Sequence, residues 1–511
     1  MPTINIGNLE NQEKIIGLLQ ALNGKLTDSS VETIKAFFEA RKTGELFSTK
    51  FYNYSITDTG IGEAMNDSSG LSCTPSTADT KGQDDFAAHN AFWFVDCNFI
   101  VNDNGVKIPT YIDGQSGFSR TGKVQVGVLT PPLYWGEEVT EDGYIKHFSD
   151  SEHPASRSDL TLTLMPHCRD AYGNPMPYGI VPKYYAGMID GILYGSSGLP
   201  VENSMSFNKI HTECQKLGTG YLGAGSERTA YLKNFLWIKY KTLNSQKYFK
   251  GCTNHNLQYA AAEAASGVTY VPLTAAQANG FYVGDTVSIG EAGENTNIDR
   301  GQAHMRNIAD KVRVTKIEPV DDGYFRVYVD AEPFEVTTTT YISTMPLHSG
   351  QTDSVPGNDG YLANDNKHSF KIQGVEEGIG AYYVSANECE YKETESKTIF
   401  YNRSDAEWSN TQSAIQASWK TVGSYDFGDS ADFWIGEESI DLETGSSVPK
   451  TVGSGDLKGV GDRRYHGGAE KGIREKLERG DLMNGSFAGF SCSYGWSAPS
   501  GSGWNVAVCV S

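Results

Sequence analysis

Apolar residues recur every three or four positions in two parts of the chain. The first is residues 8–43, where Ile15, Leu18, Leu19, Leu22 and Leu26 form one stripe. Asn8 is placed to cap this helix, with Glu10 and Glu13 near its positive end. Asn23-Gly24 interrupts the stripe and predicts its end. Ser29-x-x-Glu32 is a capping-box pattern that opens a second helix. Val31, Ile34, Phe37 and Phe38 give that helix its apolar face, and Gly44 can stop it. The heptad run is too short to assign a coiled coil. Residues 1–45 therefore read either as an oligomerisation or docking segment or as a helix pair packed on its own domain.

The second periodic part is residues 204–245. Phe207, Ile210, Cys214 and Leu217 step by three, four and three, and a further helix runs from about Ser226 to Leu243. Elsewhere the pattern shortens to alternation. Residues 46–195 read as an antiparallel β-rich domain. Its strands are expected at Ala91–Val95, Lys123–Val128 and Leu160–Leu164, with a strong turn at Asn102-Asp103-Asn104-Gly105. Residues 268–349 read as an inserted small β module. Its strands are expected at Tyr282–Ile289, Val312–Ile317 and Val336–Ile342, with a hairpin turn at Asp321-Asp322-Gly323. Residues 350–511 show weak periodicity and hold five of the eight tryptophans, which predicts a loop-rich domain. The fold class expected is α+β, multidomain.

Composition narrows the function. With 38% hydrophobic residues the chain is not wholly disordered, and its 18 prolines follow no Gly-X-Y period. No apolar run reaches the ~18–20 residues of a membrane span, so no membrane insertion is expected. MPTINIGNLENQEK has neither a basic nor an apolar leader region, so no secretory signal is expected. The net charge of −21 gives no basic footprint for nucleic acid. The eight cysteines lie far apart without CxxC, which predicts buried free thiols of a reducing cytoplasm.

The familiar catalytic strings GxSxG, HExxH and GxxxxGK[ST] are absent, and no enzyme is expected. Asp84-Asp85 are adjacent carboxylates, which on a strand point to opposite faces. His211-x-x-Cys214 and Cys252-x-x-His255 have spacings legal for zinc, but Cys214 lies in a core stripe. Asp353, Asn358, Asp359, Asn364 and Asp365 offer oxygen ligands for calcium, or are plain turn residues. Around the last turn, Tyr, Phe and Trp mix with Ser, Gly and Asn, as in a paratope. The candidate ligand-binding residues are Phe487, Phe490, Ser491, Ser493, Tyr494, Trp496, Gly501 and Gly503. Trp504, Val506, Val508 and Val510 read as a strand in a core.

Asn484-Gly485-Ser486-x-Ala488-Gly489, then Ala498-Pro499-Ser500-x-Ser502-x-Trp504-Asn505 and the following strand, resemble C-type-lectin-like proteins of the formylglycine-generating-enzyme subtype. That ending recurs in virion proteins of phages and prophages of gut bacteria. Three further pieces resemble the same phage family. They are Tyr240-Lys241-Thr242-Leu243-Asn244-Ser245-Gln246 leading to Gly251-Cys252-Thr253-Asn254, the run from Phe370 to Gly380, and Ser197-Gly198-Leu199-Pro200. Residues 1–194 resemble tail-fibre proteins more faintly.

The resemblance implies a C-type-lectin-like domain in two parts, residues 196–267 and 350–511, that binds a ligand on one loop face. It implies a phage tail-fibre or tail-tip protein that binds a host cell-surface protein or glycan. Other virion proteins are its partners, and a homo-oligomer, a trimer by the tail-fibre habit, is implied. The alternatives are a structural capsid-decoration or tail protein, and a polysaccharide depolymerase. The copper chemistry of formylglycine-generating enzymes needs two nearby cysteines, whereas Cys492 and Cys509 stand seventeen positions apart. The chain also departs from that family's wording between Gly220 and Leu236. Some relatives are variable proteins of diversity-generating retroelements, which randomise adenines in Asn-type codons. Phe487, Ser491, Cys492, Ser493, Tyr494, Gly495, Gly501 and Gly503 are reachable from such codons, and Trp496 and Trp504 are not.

Overall fold

The computed structural model describes residues 9–22, 24–320, 323–393, 397–402, 408–427, 432–466 and 471–511. Helices α1 (Leu9–Leu22) and α2 (Val31–Arg41) form the expected N-terminal pair. Gly17 lets them cross closely, since a Cβ there would lie 2.5 Å from the Thr33 carbonyl oxygen. Ile34, Phe37 and Phe38 are buried, and both phenylalanine rings pack on Trp93. The pair therefore docks on the β-rich region, while α1 keeps Leu9, Ile16 and Leu19 exposed. The start of α2 differs from the expected capping box. Ser30 is the cap residue, its N–H donating to Asp28 Oδ1 and its hydroxyl to Thr33 Oγ1. Ser29 instead donates to the Thr110 carbonyl and ties the helix pair to a strand. Asn8 and Asn23 lie outside the described residues.

The β-rich region holds two antiparallel sheets. One contains five strands, including Phe47–Tyr52, Tyr134–Val139 and Gly143–Ser149. The other contains Lys107–Ile112, Val95–Val101, Gln125–Thr130 and Gly179–Pro182, in that spatial order. The Asn102–Gly105 turn joins two of these strands. Asn102 Oδ1 accepts from the N–H groups of Asn104 and Val106, and Gly105 takes φ +69°. Ala91 and Phe92 do not begin a strand; they lie in the 3-10 turn Asn90–Phe92, pinned in the core by aromatic neighbours. Only Thr163–Leu164 of the third expected strand pairs.

Helix α3 spans Phe207–Gln215, capped by Ser206, and buries Phe207, Ile210 and Cys214. Helix α4 (Ser226–Tyr240) is the hub of the molecule: every residue but Glu227 is buried. It touches strands of both N-terminal sheets and of the C-terminal region. A helix covered all round needs no apolar stripe, so its sequence signal is weak. Its charges are paired instead. Arg228 meets Glu377, Lys233 meets Glu438, and Lys239 meets Asp84 and Asp359.

The inserted module has its own core, including Val271, Val287, Ile289, Val327 and Ile342. Its six-stranded sheet starts at Gln258–Ala260, ten residues ahead of the expected boundary at 268, and ends with Thr340–Thr344. The expected hairpin strands pair as Ala309–Pro319 and Tyr324–Val329, while Asp321 and Asp322 lie outside the described residues.

The expectation of a loop-rich region after residue 350 is corrected. Residues 383–507 build the largest sheet, with nine strands. Its inward positions carry charge, which hides the period of two. Glu388, Glu390, Glu475, Lys476 and Glu478 are all buried on two long strands. Lys476 pairs with Glu388 at 2.9 Å and Glu478 at 3.0 Å, so burial is met by ionic partners rather than by apolar contact. The architecture is multidomain and rich in antiparallel sheet, with six α-helices among the described residues.

Candidate functional site

Three neighbouring strands of the nine-stranded sheet, Asp432–Ile440, Arg463–Tyr465 and Gly489–Tyr494, set up an aromatic face. Trp434 lies opposite Arg463 and Asp432 opposite Tyr465 in an antiparallel pair. Tyr465 and Tyr494 are partners in a parallel pair. Alternation then puts Asp432, Trp434, Arg463, Tyr465 and Tyr494 on one side. Phe433, Ile435 and Arg464 take the other, where Phe433 and Ile435 join Phe400, Tyr425 and Val448 in a core. Arg464 is fully buried there and pairs with Glu390.

On the outer side Tyr465, Tyr494 and Trp496 make a triangle of near-parallel rings. Tyr465 and Tyr494 are 5.1 Å apart at 19°, Tyr465 and Trp496 5.8 Å at 9°, and Tyr494 and Trp496 6.5 Å at 11°. Buried Tyr383 supports Tyr494 at 5.1 Å. Trp496 is 48% exposed, and both tyrosines are half-buried. Beside them Phe487 meets Trp434 edge-on at 5.0 Å, and the Arg463 guanidinium lies 3.8 Å from the Phe487 ring centre. Arg463 also holds Asp432 through two hydrogen bonds. Burial, then Tyr465 and Asp481, push the Tyr494 hydroxyl up to about 12, so it stays protonated at neutral pH.

Gly495 fixes the path between the two strand partners and Trp496. Its N–H donates to the Tyr465 carbonyl at 2.8 Å. A Cβ there would run into the Glu390 carboxylate, so a side chain at this position must displace the Arg464–Glu390 pair.

The face keeps three of the eight expected residues, Phe487, Tyr494 and Trp496. Phe490 is 1% exposed and belongs to the main core with Phe370 and Phe249, so its expected surface role is corrected. Ser491 and Ser493 are corrected likewise: both are buried in a strand with neighbours on each side. The Ser491 N–H donates to Asp462 Oδ2 at 2.7 Å. Gly501 and Gly503 are half-buried in the loop after Trp496, which rests on α3 through Asn208 N–H to Pro499 O and a Met205–Gly503 bridge. Trp504, Val506, Val508 and Val510 are buried, as a core strand requires. Sequence reasoning missed Asp432, Trp434, Arg463 and Tyr465. The signal for them was the alternation within two short strands, and it says nothing about which strand lies beside residue 494.

The metal expectations do not converge. Cys214 and Cys252 sit in separate cores, His211 stacks on Trp408, and His255 binds Asp285. Asp353 accepts from Tyr184 and Ser197, Asn364 accepts from the Lys250 N–H, and Asp365 binds His368. Asn358 donates to Asp84. Asp359 does approach Asp84 and Cys73, beside a cavity of about 230 Å³. The Lys239 ammonium already bridges the two carboxylates at 3.0 and 2.7 Å. Asp85 turns away to the Ser72 N–H, so the adjacent acids do not face one reaction centre. All eight cysteines are free and seven are buried. No helix among the described residues is long and apolar enough to cross a membrane. A cavity of about 420 Å³ lies at the start of α4, where Glu227 pairs with Lys107 and accepts from the Ser511 hydroxyl.

No family model and no curated protein matches this chain.

Proposed function

We propose that this chain is a phage virion protein of tail-fibre or tail-tip type, which binds a host-surface receptor through the Tyr465–Tyr494–Trp496 face. The reading joins the resemblance of the 484–505 pattern to phage C-type-lectin-like proteins with one observation. That observation is an exposed tryptophan stacked with two half-buried tyrosines and rimmed by an ion pair. Exposed aromatic area of this kind is a common anchor of protein interfaces and ligand sites. Two helices, α3 and α4, beside the sheet of residues 383–507 support reading a C-type-lectin-like domain there, interrupted by the module of residues 258–344.

The exposed apolar side of α1 supports giving residues 1–45 to assembly, with other virion proteins or within a trimer. Retroelement diversification, if it acts on this chain, is narrowed by burial. Ser491, Cys492 and Ser493 are inside and a side chain at Gly495 would displace the buried Arg464–Glu390 pair, which leaves Phe487, Tyr494, Gly501 and Gly503.

The test is binding of the fluorescently labelled, intact chain to candidate bacterial hosts, with heat-denatured protein as control. Saturable binding that competes with phage adsorption is expected. Absence of binding by the folded protein to a host the phage infects overturns the reading in favour of a structural virion protein.

A further inference from the structure

The geometry of the aromatic face points beyond receptor binding in general to a chemical class of receptor, and this step rests on the receptor-binding reading. We infer that the face takes a neutral glycan, with the apolar side of a pyranose ring laid on the Trp496 and tyrosine rings and its hydroxyls met by the Arg463–Asp432 pair.

Ring orientation carries the first part of the argument. Where this protein's aromatic rings pack against one another in the main core, edge-on contacts are common: Phe47–Phe92 at 85°, Tyr231–Phe235 at 71° and Phe92–Phe148 at 67°. Stacked pairs occur there too, Trp135–Trp237 at 12° and Phe249–Phe370 at 26°, but the surface trio is near-parallel throughout. All three of its interplanar angles are 19° or less, so the rings turn their faces the same way. The strand register of Tyr465 and Tyr494 and the glycine at 495 hold them so. Parallel ring faces suit a flat ligand with an apolar side. A sugar ring has such a side, where its axial C–H bonds gather, and a rim of hydroxyls.

The rim chemistry carries the second part. Arg463 and Asp432 keep 28% and 32% of their side chains exposed. Their pairing uses two of the five guanidinium N–H donors, and the others can meet hydroxyl oxygens. Guanidinium donors at the rim of a ring stack match the hydroxyl oxygens at the rim of a sugar. The pair is also neutral as a unit, in a chain of net charge −21. An anionic polysaccharide would approach against that field, whereas a neutral one meets no such barrier.

The cells that bind the chain in the preceding experiment supply the test. Samples are treated with mild periodate, which cleaves vicinal diols, or with proteinase K, and binding of the intact chain is measured again. Binding lost after periodate and kept after proteinase is expected, with competition by neutral polysaccharide purified from the same cells. Trp496→Ala, monitored by circular dichroism for an unchanged fold, is expected to raise the half-saturating concentration at least tenfold, and Trp496→Phe less. Binding that survives periodate and is lost after proteinase overturns the glycan inference and leaves receptor binding standing. Wild-type affinity in Trp496→Ala overturns the placement of the site. Binding to no host cell overturns the receptor reading itself.

Discussion

Tyr465 and Tyr494 are partners across a parallel strand pair, with ring centres 5.1 Å apart and planes 19° from parallel. One strand comes from residues 463–465 and the other from 489–494, so the aromatic face needs both segments in register. Buried Tyr383 holds Tyr494 from beneath, and Trp496 closes the triangle from the far side of a glycine.

Tyr494→Ala removes the middle of this arrangement. It is expected to weaken receptor binding by more than ~1 kcal/mol, the threshold of an interface anchor. Tyr494→Phe keeps the ring and is expected to retain most of the affinity. Titration of both variants, with thermal melts beside them, checks this. Equal affinity of Tyr494→Ala and wild type removes Tyr494 from the site.

Gly495→Ala places a methyl group where the Glu390 carboxylate stands. Either Glu390 leaves Arg464, which is fully buried, or the strand moves. Breaking a buried pair costs about 3–5 kcal/mol. A loss of at least ~2 kcal/mol in a denaturant melt is therefore expected, together with loss of binding. A melt within ~0.5 kcal/mol of wild type would show that the turn has room to adjust.

How far these features were legible in the sequence follows from what makes each of them. The helix at 207–215 shows because one side is wet and one dry, which writes a period of 3.6 into the chain, and the helix at 9–22 carries the same period although Leu18 and Leu19 stay exposed. Helix α4 shows less clearly, since Arg228, Lys233 and Lys239 are buried beside Leu232, Phe235 and Leu236. The strands at 383–392 and 472–479 were hidden for the same reason, with Glu388, Glu390, Glu475 and Glu478 inside. Local sequence cannot distinguish a buried carboxylate that has a partner from an exposed one. Aromatic residues of the site were visible as composition, but Phe490 and Tyr494 look alike in a string. Only the pairing of residue 494 with residue 465, a non-local contact, separates the core ring from the surface ring.

Glu377 is the clearest case of such a hidden charge. It is fully buried, accepts from Arg228 at 2.6 Å and from Arg479 at 3.0 Å, and receives the Tyr185 hydroxyl. Burial raises its pKa, but Arg479 and Arg228 outweigh that and hold it down at about 2. Glu377→Gln leaves two buried guanidinium groups without their shared counter-charge. A cost of about 3–5 kcal/mol is expected near neutral pH, measured by denaturant melts. The folded pKa lies below the unfolded value of 4.5, so this contribution is present above pH 4.5 and fades as pH falls towards 2. The difference between variant and wild type should shrink along that window. A constant difference would mean that packing rather than charge is lost.

Glu475 has the opposite sign. It is fully buried on the strand next to the aromatic face, and its N–H donates to Ser497 O, one residue past Trp496. Burial pushes its carboxyl up to about 8. Between pH 4.5 and 8 the folded protein therefore holds a proton that the unfolded chain has released. Stability falls with rising pH across this window, by at most about 1.4 kcal/mol per pH unit, and the loss levels off above 8. Glu475→Gln is neutral in both states and carries no such slope. Its stability relative to wild type is expected to be lowest at pH 4 and to grow steadily to pH 8. Melts of the two proteins at matched pH values isolate this group, because Asp462 and Glu376, which are also raised, titrate in both proteins and cancel in the difference. A difference that stays flat from pH 4 to 8 would show that Glu475 ionises in the folded state as it does in the unfolded chain. The strand beside the aromatic face would then hold a buried charge rather than a neutral acid.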